Sequence, residues 1–333
     1  MDGVSRRFPE AGKQVKVHRL IQRLAVASAV TAFAAAGAHA AQLDTDARTA
    51  IPNQVQQIIV VDYHAMQNSP AAMDLKARIL PPELKELENA LRASGFNENH
   101  DVDDLAFAAF RTDKRGGLQT VGIAQGQFSV PDIMANFKKK KIKPKMIRAN
   151  ALYPMGASGM TVVFLNPTTM IFGSTDAIRS ALDARDGLAP NFLTNQPMLD
   201  QMGAVDSEPI WSILDQQGTQ YMMHSLLGQA SQVADYNTIK KRLLGSHYTM
   251  NFQNGVKFAL VVKTPDTFTA ATLSSLLNAA AMYEKISGTA IEKQAIDATT
   301  IDSSAGDLEV NYSSSDSQFS ALLQSPLFKT VVK

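Results

Sequence analysis

No cysteine occurs among the 333 residues of this chain. That absence removes disulfide frameworks, thiolate zinc sites, iron–sulfur clusters, thiol nucleophiles and a lipidated N-terminal cysteine together. Charge is scarce as well: 19% of residues are Asp, Glu, Lys or Arg and the formal net charge is +1. A global basic field able to hold nucleic acid is therefore missing, and polyanion binding would need a local patch. With 14 Pro and 19 Gly the chain is neither collagenous nor low in complexity. What is present is apolar surface. The hydrophobic share of 45% suffices for one large core or two of ordinary size.

Basic residues concentrate at the front. Residues 1–23 hold Arg6, Arg7, Lys13, Lys16, Arg19 and Arg23 against Asp2 and Glu10, and an uncharged Ala-rich run from Leu24 to Ala36 follows. That run falls short of the roughly 20 apolar residues a bilayer span requires, so it reads as the apolar region of a signal peptide. It leads into Ala38-His39-Ala40, whose small residues fit a signal peptidase, and cleavage is expected between Ala40 and Ala41. Arg6-Arg7 stands too far upstream to act as a twin-arginine signal. Residues 1–40 carry six cations and two anions, so their removal takes the net charge to about −3. The expectation is a bacterial periplasmic or secreted protein with no transmembrane span after cleavage.

The polar stretch 41–54 is expected to be a flexible lead into the fold. Val55 to Asp62 is β-branched and reads as a central strand; Pro70–Ile79 and Pro82–Ala93 have helical spacing, with Leu84, Leu87 and Leu91 on one face. Asp104–Phe110 and Leu118–Phe128 read as a hairpin turning at Gly116-Gly117. A helix at Pro131–Phe137, a hairpin around Asn166-Pro167 and a helix capped by Ser174 or Thr175 and ending at Gly187 follow. After a connector at 188–208 the order begins again. Strand Pro209–Leu214, hairpin His247–Phe252 with Val256–Lys263 around Asn254-Gly255, helix Pro265–Met282, hairpin Ala295–Ile301 with Asp307–Tyr312, and helix Asp316–Leu323 answer the earlier elements. Gly117 and Gly255, and Met170 and Leu308, lie 138 residues apart, and Thr175 and Ser315 lie 140 apart. Such spacing points to duplication: an α+β fold of two similar halves, 55–187 and 209–333, each a mostly antiparallel sheet with helices on one face.

Gly95-Phe96 with Asp101-Val102-Asp103, Gly126-Gln127-Phe128, and Phe172-Gly173-Ser174 with Ile178 to Leu182 resemble elements of exported bacterial proteins of unknown function. Those proteins are of acidobacterial and planctomycete type and have a duplicated α+β build. The resemblance covers about residues 56–186 and the second half more faintly, and it departs at Ser129, where an acidic residue is expected. It implies no activity.

Residues 97–104, Asn-Glu-Asn-His-Asp-Val-Asp-Asp, form the densest group of oxygen ligands, and alternate positions mimic the start of a calcium loop. Val102 stands where such a loop needs Gly, and Ala108 where it needs a bidentate Glu. Asp101 and Asp103 are the candidate metal ligands, with His64 or His100 completing a metal-dependent enzyme in the alternative reading. Lys138, Lys139, Lys140, Lys141, Lys143, Lys145 and Arg148 place seven cations in eleven residues, a candidate polyanion patch. No aromatic residue interleaves them to stack a base, so sequence-specific nucleic-acid binding is not expected. Lysines also suit a helix C-terminus or a guarded sheet edge. Gly156-Ala-Ser-Gly159 lacks the nucleophile-elbow spacing, and the glycines at 122 and 126 lack the Lys-Ser/Thr of a phosphate loop. The 14 methionines, Met222-Met223 among them, read chiefly as core filling. No catalytic constellation and no cofactor motif emerges. The leading expectation is a non-enzymatic binding or scaffolding protein for an envelope protein or surface.

Overall fold

The computed structural model describes residues 40–112, 117–228, 236–326 and 328. Residues 1–39 of the expected signal peptide and the first residue of the Gly116-Gly117 turn lie outside them.

At the centre is β1 (Val55–Asp62), buried at every position because β-branched residues point to both of its faces. It pairs antiparallel with β2 (Val102–Arg111) on one side and with β8 (Ile210–Leu214) on the other. Beyond β2 lie β3 (Leu118–Gly126), β7 (Thr169–Ser174), β6 (Met160–Phe164), β5 (Asn150–Met155) and β4 (Lys145–Ile147). Beyond β8 lie β9 (Gly245–Asn251), β10 (Val256–Lys263), β12 (Asp307–Ser314) and β11 (Thr299–Ser304). One antiparallel sheet of 12 strands results, in a mixed helix and sheet fold of the α+β class. The halves are not two separate sheets. They share one hydrogen-bonded ladder through Gln57–Val61 against Ile210–Leu214.

Alternation along β1 supplies two cores. Ile59 and Val61 join Leu75, Leu87 and Phe172 on one face, and Ile58 and Val60 join Trp211, Ile178 and Leu182 on the other. The first face is covered by α2 (Tyr63–Gln67), α3 (Pro70–Ile79), α4 (Pro82–Arg92), α5 (Glu98–Asp101) and α6 (Val130–Lys139). The second is covered by α1 (Thr45–Thr49), α7 (Thr175–Arg185) and α8 (Gln196–Gly203). Helices on one face only is therefore correct for the second half alone. There, α9 (Gln216–Leu227) and α11 (Thr267–Ser287) pack on Leu260, Val262 and Leu308. The other face of β10 and β12 carries Lys257, Lys263 and Asp307, the last two paired at 2.5 Å.

Three further differences from the sequence reading stand out. The sequence gives no strand at the end of the lysine run, yet Lys145 opens the edge hairpin β4–β5, whose three-residue first strand is too short to show alternation. Ala295 to Asp297 are helical, in α12 (Ala290–Asp297), because Thr289 and Glu292 close a capping box. The two final helices are not equivalents: α7 lies on the Trp211 face, whereas Phe319 of α13 (Asp316–Leu322) packs at 5.6 Å on Phe252 in the opposite core. The turn at Asn254-Gly255 stands where the sequence placed it, with φ of +59° and +100°, and the register of Asn251 opposite Lys257 centres the loop on Asn254.

Residues 41–51 are not a flexible leader. Ala41, Ala47, Ala50 and Ile51 are fully buried; the Trp211 indole donates to the Ala41 carbonyl at 2.7 Å, and Asp44 caps α1 through the Ala47 amide at 2.7 Å. The Gln125 amide donates to the Gln42 carbonyl and its oxygen accepts from the Asp44 amide, at 2.8 and 3.0 Å. Asp104, next to Gln125 across the β2–β3 ladder, faces Asp62 across the β1–β2 ladder. Burial, reinforced by the charges of Asp62, Asp103 and Asp44, pushes the Asp104 carboxyl up to about 7.

An unfolded Asp titrates near 3.9, so between about pH 4 and 7 the folded chain holds the extra proton and stability falls as pH rises through that window. Thermal unfolding from pH 4.5 to 8 is expected to show this loss, and Asp104→Asn to flatten it and raise Tm at pH 8. An unchanged slope in the variant would assign the dependence to other groups.

Candidate ligand cleft

The first core is not filled to its rim. Helices α3 and α4 stand over β2, β3 and β7 and leave an open cleft whose enclosed space is about 80 Å³. Its floor is Leu105, Phe107, Ala124, Met170 and Phe172; its roof is Leu80, Leu84, Leu87 and Leu91. Local signals set the roof in place. The Ser69 hydroxyl accepts from the Ala71 and Ala72 amides, with Pro70 at the first helical position, and Pro82 starts α4 in the same way. The 84, 87, 91 spacing of α4 then turns one leucine face toward the sheet.

The floor depends on Gly122. A Cβ there would lie 2.1 Å from Phe172 Cε2, so only glycine lets that ring rest on β3. Phe107 meets the same ring edge-on at 5.8 Å.

A polar lip closes one end. Lys76 Nζ donates to the Tyr63 hydroxyl at 2.9 Å and to Glu88 at 3.1 Å, and stands 3.5 Å from Glu98. Arg92 bridges Glu88 and Glu98 at 3.0 and 2.9 Å. Burial works to lower the Lys76 ammonium, but the Tyr63 hydroxyl and the two carboxylates outweigh it and hold it above its ordinary value. Burial and the hydrogen bond with Glu88 raise Glu98. Glu88 itself, although burial opposes this, is lowered by that same bond and by Lys76. Glu98 is thus the carboxyl that takes up a proton first. With two cations against two carboxylates the lip is charge-balanced, and selection within the cleft falls to its apolar walls.

The 97–104 segment enters this site only through Glu98 and Val102. Asp101 accepts from the Asn97 amide at 2.8 Å and contacts His100 at 3.1 Å. Asp103 sits 2.9 Å from His64 Nε2, and the Gln67 amide lies 2.8 Å from His64 Nδ1. His64 and Asp103 are brought together, while Asp101 and His100 pair separately. Among the described residues no three His, Asp or Glu side chains gather where they could hold a metal ion. The cations of the lysine run divide: Lys138 and Lys139 end α6, Lys140 donates to the Ala93 carbonyl at 2.6 Å, Lys145 opens the edge strand β4, and Arg148 pairs with Asp183 and Asp186. Met223 is fully buried, in the third core. Gly156 and Gly159 turn the β5–β6 hairpin. The cleft itself escaped sequence reading. Its one signal was the leucine face of α4, which looks the same whether the space beneath it is filled or empty.

No family model matches the chain, and no curated protein matches it. Among solved structures the chain resembles TP0453. Crystal form I aligns with a TM-score of 0.47 at 9% identity over 88% of this chain and 99% of that one. Form III aligns with a TM-score of 0.44 at 9% identity over 85% and 98%. Among the described residues no helix is long and apolar enough to cross a membrane.

Gly122→Ala is expected to drive the Phe172 ring off β3 and into the cleft, costing about 1–3 kcal/mol in stability. Urea unfolding of the variant against wild type measures it, and a change under about 0.5 kcal/mol would mean that the ring has room elsewhere.

Proposed function

We propose that this chain is an exported binding protein without catalytic machinery, and that its ligand is a hydrocarbon-rich small molecule held between α4 and the sheet. The observation that carries the reading is the open apolar cleft walled by Leu84, Leu87, Leu91, Leu105 and Phe107, with a charge-balanced lip of Lys76 and Arg92 against Glu88 and Glu98. An apolar lining with few polar groups is the usual chemistry of ligand sites. Export agrees with the sequence pattern ahead of Ala40. It agrees too with Ala41, the residue after the expected cut, being fully buried and held by Trp211.

Duplication belongs to the same proposal. Outward from the central joint the strands run β1-β2-β3-β7-β6 on one side and β8-β9-β10-β12-β11 on the other, the order expected when one unit is copied. On this reading the copies diverged: the first kept an open cleft under its helices, and the second filled the corresponding space with Tyr248, Leu260 and Leu273. Kinship with exported acidobacterial and planctomycete proteins is part of this proposal.

N-phenyl-1-naphthylamine, an apolar dye that brightens on leaving water, tests the cleft. Wild type is expected to bind it saturably. Leu84→Arg, at a half-buried wall position, is expected to bind at least about tenfold more weakly with little change in Tm. Equal binding by the variant, or no saturable binding by wild type, would remove the cleft as the site. Intact mass of protein recovered from a bacterial periplasm is expected to begin at Ala41, and a chain retained whole in the cytoplasm would remove export.

A further inference from the structure

Helix α11 is the longest described helix, and it is apolar on two sides. Its inner side carries Ala270, Leu273 and Leu277 into the third core. It also guards the sheet edge. The Ser274 hydroxyl and the Asn278 amide donate to the Ile301 carbonyl of edge strand β11 at 3.3 and 3.2 Å, which removes an acceptor another strand could use.

The outer side has no such role. Phe268, Met282, Tyr283 and Ile286 are 74, 68, 62 and 80% exposed. Phe268, Thr272, Ser275, Ala279, Met282 and Ile286 recur at alternating steps of four and three, the 3.5-residue period of a helix–helix seam. No charged residue occurs from Thr267 to Tyr283. The two hydroxyls in the seam are already spent on their own helix: Thr272 donates to the Phe268 carbonyl at 2.8 Å and Ser275 to the Ala271 carbonyl at 2.9 Å. Covering them therefore strands no donor.

We infer that α11 is a self-association surface, and that its occupant is α11 of a second copy, antiparallel about a two-fold axis at the level of Leu277. The seam is complementary to itself in that arrangement. Phe268 meets the second copy's Ile286, Thr272 meets Met282, and Ser275 meets Ala279, so bulky residues pair at the ends while small ones allow close approach in the middle. Covering the four large side chains removes on the order of 500 Å² per copy, about 1,000 Å² in the pair, the least that a biological interface should clear. A membrane surface is the less suitable occupant. A helix that lies on lipid needs a cationic rim, and Lys285 beside the seam is neutralised by Asp297.

The natural absence of cysteine gives a direct test. Phe268→Cys and Ile286→Cys chains, purified separately and then mixed under mild oxidation, are expected to form a disulfide-linked dimer only in the mixture. In the antiparallel pair like positions stand about 27 Å apart while unlike positions meet. Sedimentation of the wild-type chain is expected to show a dimer, and Ile286→Glu to raise its dissociation constant at least about tenfold without lowering the Tm of the monomer. Cross-linking of either variant with itself, a wild-type chain that stays monomeric at every concentration, or an Ile286→Glu chain that dimerises like wild type would overturn the proposal. So would flotation of a monomeric chain with neutral phosphatidylcholine vesicles, which would assign the seam to lipid.

Discussion

The ladder between β1 and β8 is the constraint from which the rest of the molecule follows. Val60 stands opposite Trp211 and Ile59 opposite Ser212, so the two halves are joined by backbone hydrogen bonds as well as by side chains packed across the joint. A strand with neighbours on both sides and helices over both faces leaves no position for a polar side chain without a partner. Two of the three polar residues in β1 show this: Gln57 donates to Ser212 across the joint at 3.1 Å, and the Asp62 carboxylate accepts from the Ala65 amide at the start of α2. Continuity across the joint makes the molecule one folding unit with three neighbouring cores.

From that centre the halves diverge in how they meet water. The first half buries both faces, which is why residues 41–51 are drawn into the core as its outer layer over β1 to β3 and why its inner helices can stand off the sheet without exposing the backbone. The second half buries one face and leaves the other to Lys257, Lys263, Asp307 and Glu309. The two ends of the sheet are defended differently. Lys145 sits on the short edge strand β4, and α11 lies along β11 with its polar side chains on the Ile301 carbonyl. Each device denies another strand its hydrogen bonds, one by charge and one by cover.

The cleft and its lip illustrate how charge is placed in an apolar setting. Lys76 at the mouth is tolerable only because a phenol and two carboxylates surround it, and the carboxylates only because Arg92 spans them from the solvent side. The network ties α3, α4 and the start of α5 together, so the width of the cleft is held by hydrogen bonds as well as by packing. One of its members, Glu98, came to attention in the sequence as part of an oxygen-rich loop. Its neighbours Asp101 and Asp103 turned instead to a backbone amide and to His64.

Strand and helix identity was legible wherever a short range of sequence decides it. The β-branched run of β1, the leucine face of α4, the Asn254-Gly255 turn and the cap at the start of α7, expected at Ser174 or Thr175 and made by Ser174, all act within a few residues. The α+β class and the antiparallel hairpins were legible too. Tertiary structure alone decided which face each helix covers, because α7 and α13 begin with the same serine cap and yet lie on opposite sides of the sheet. It also decided that the halves fuse, that 41–51 is core, and that leucines 84, 87 and 91 overhang a cleft. Those outcomes depend on the space left by residues far apart in the chain, and a periodicity records only that a face is apolar, never what lies against it.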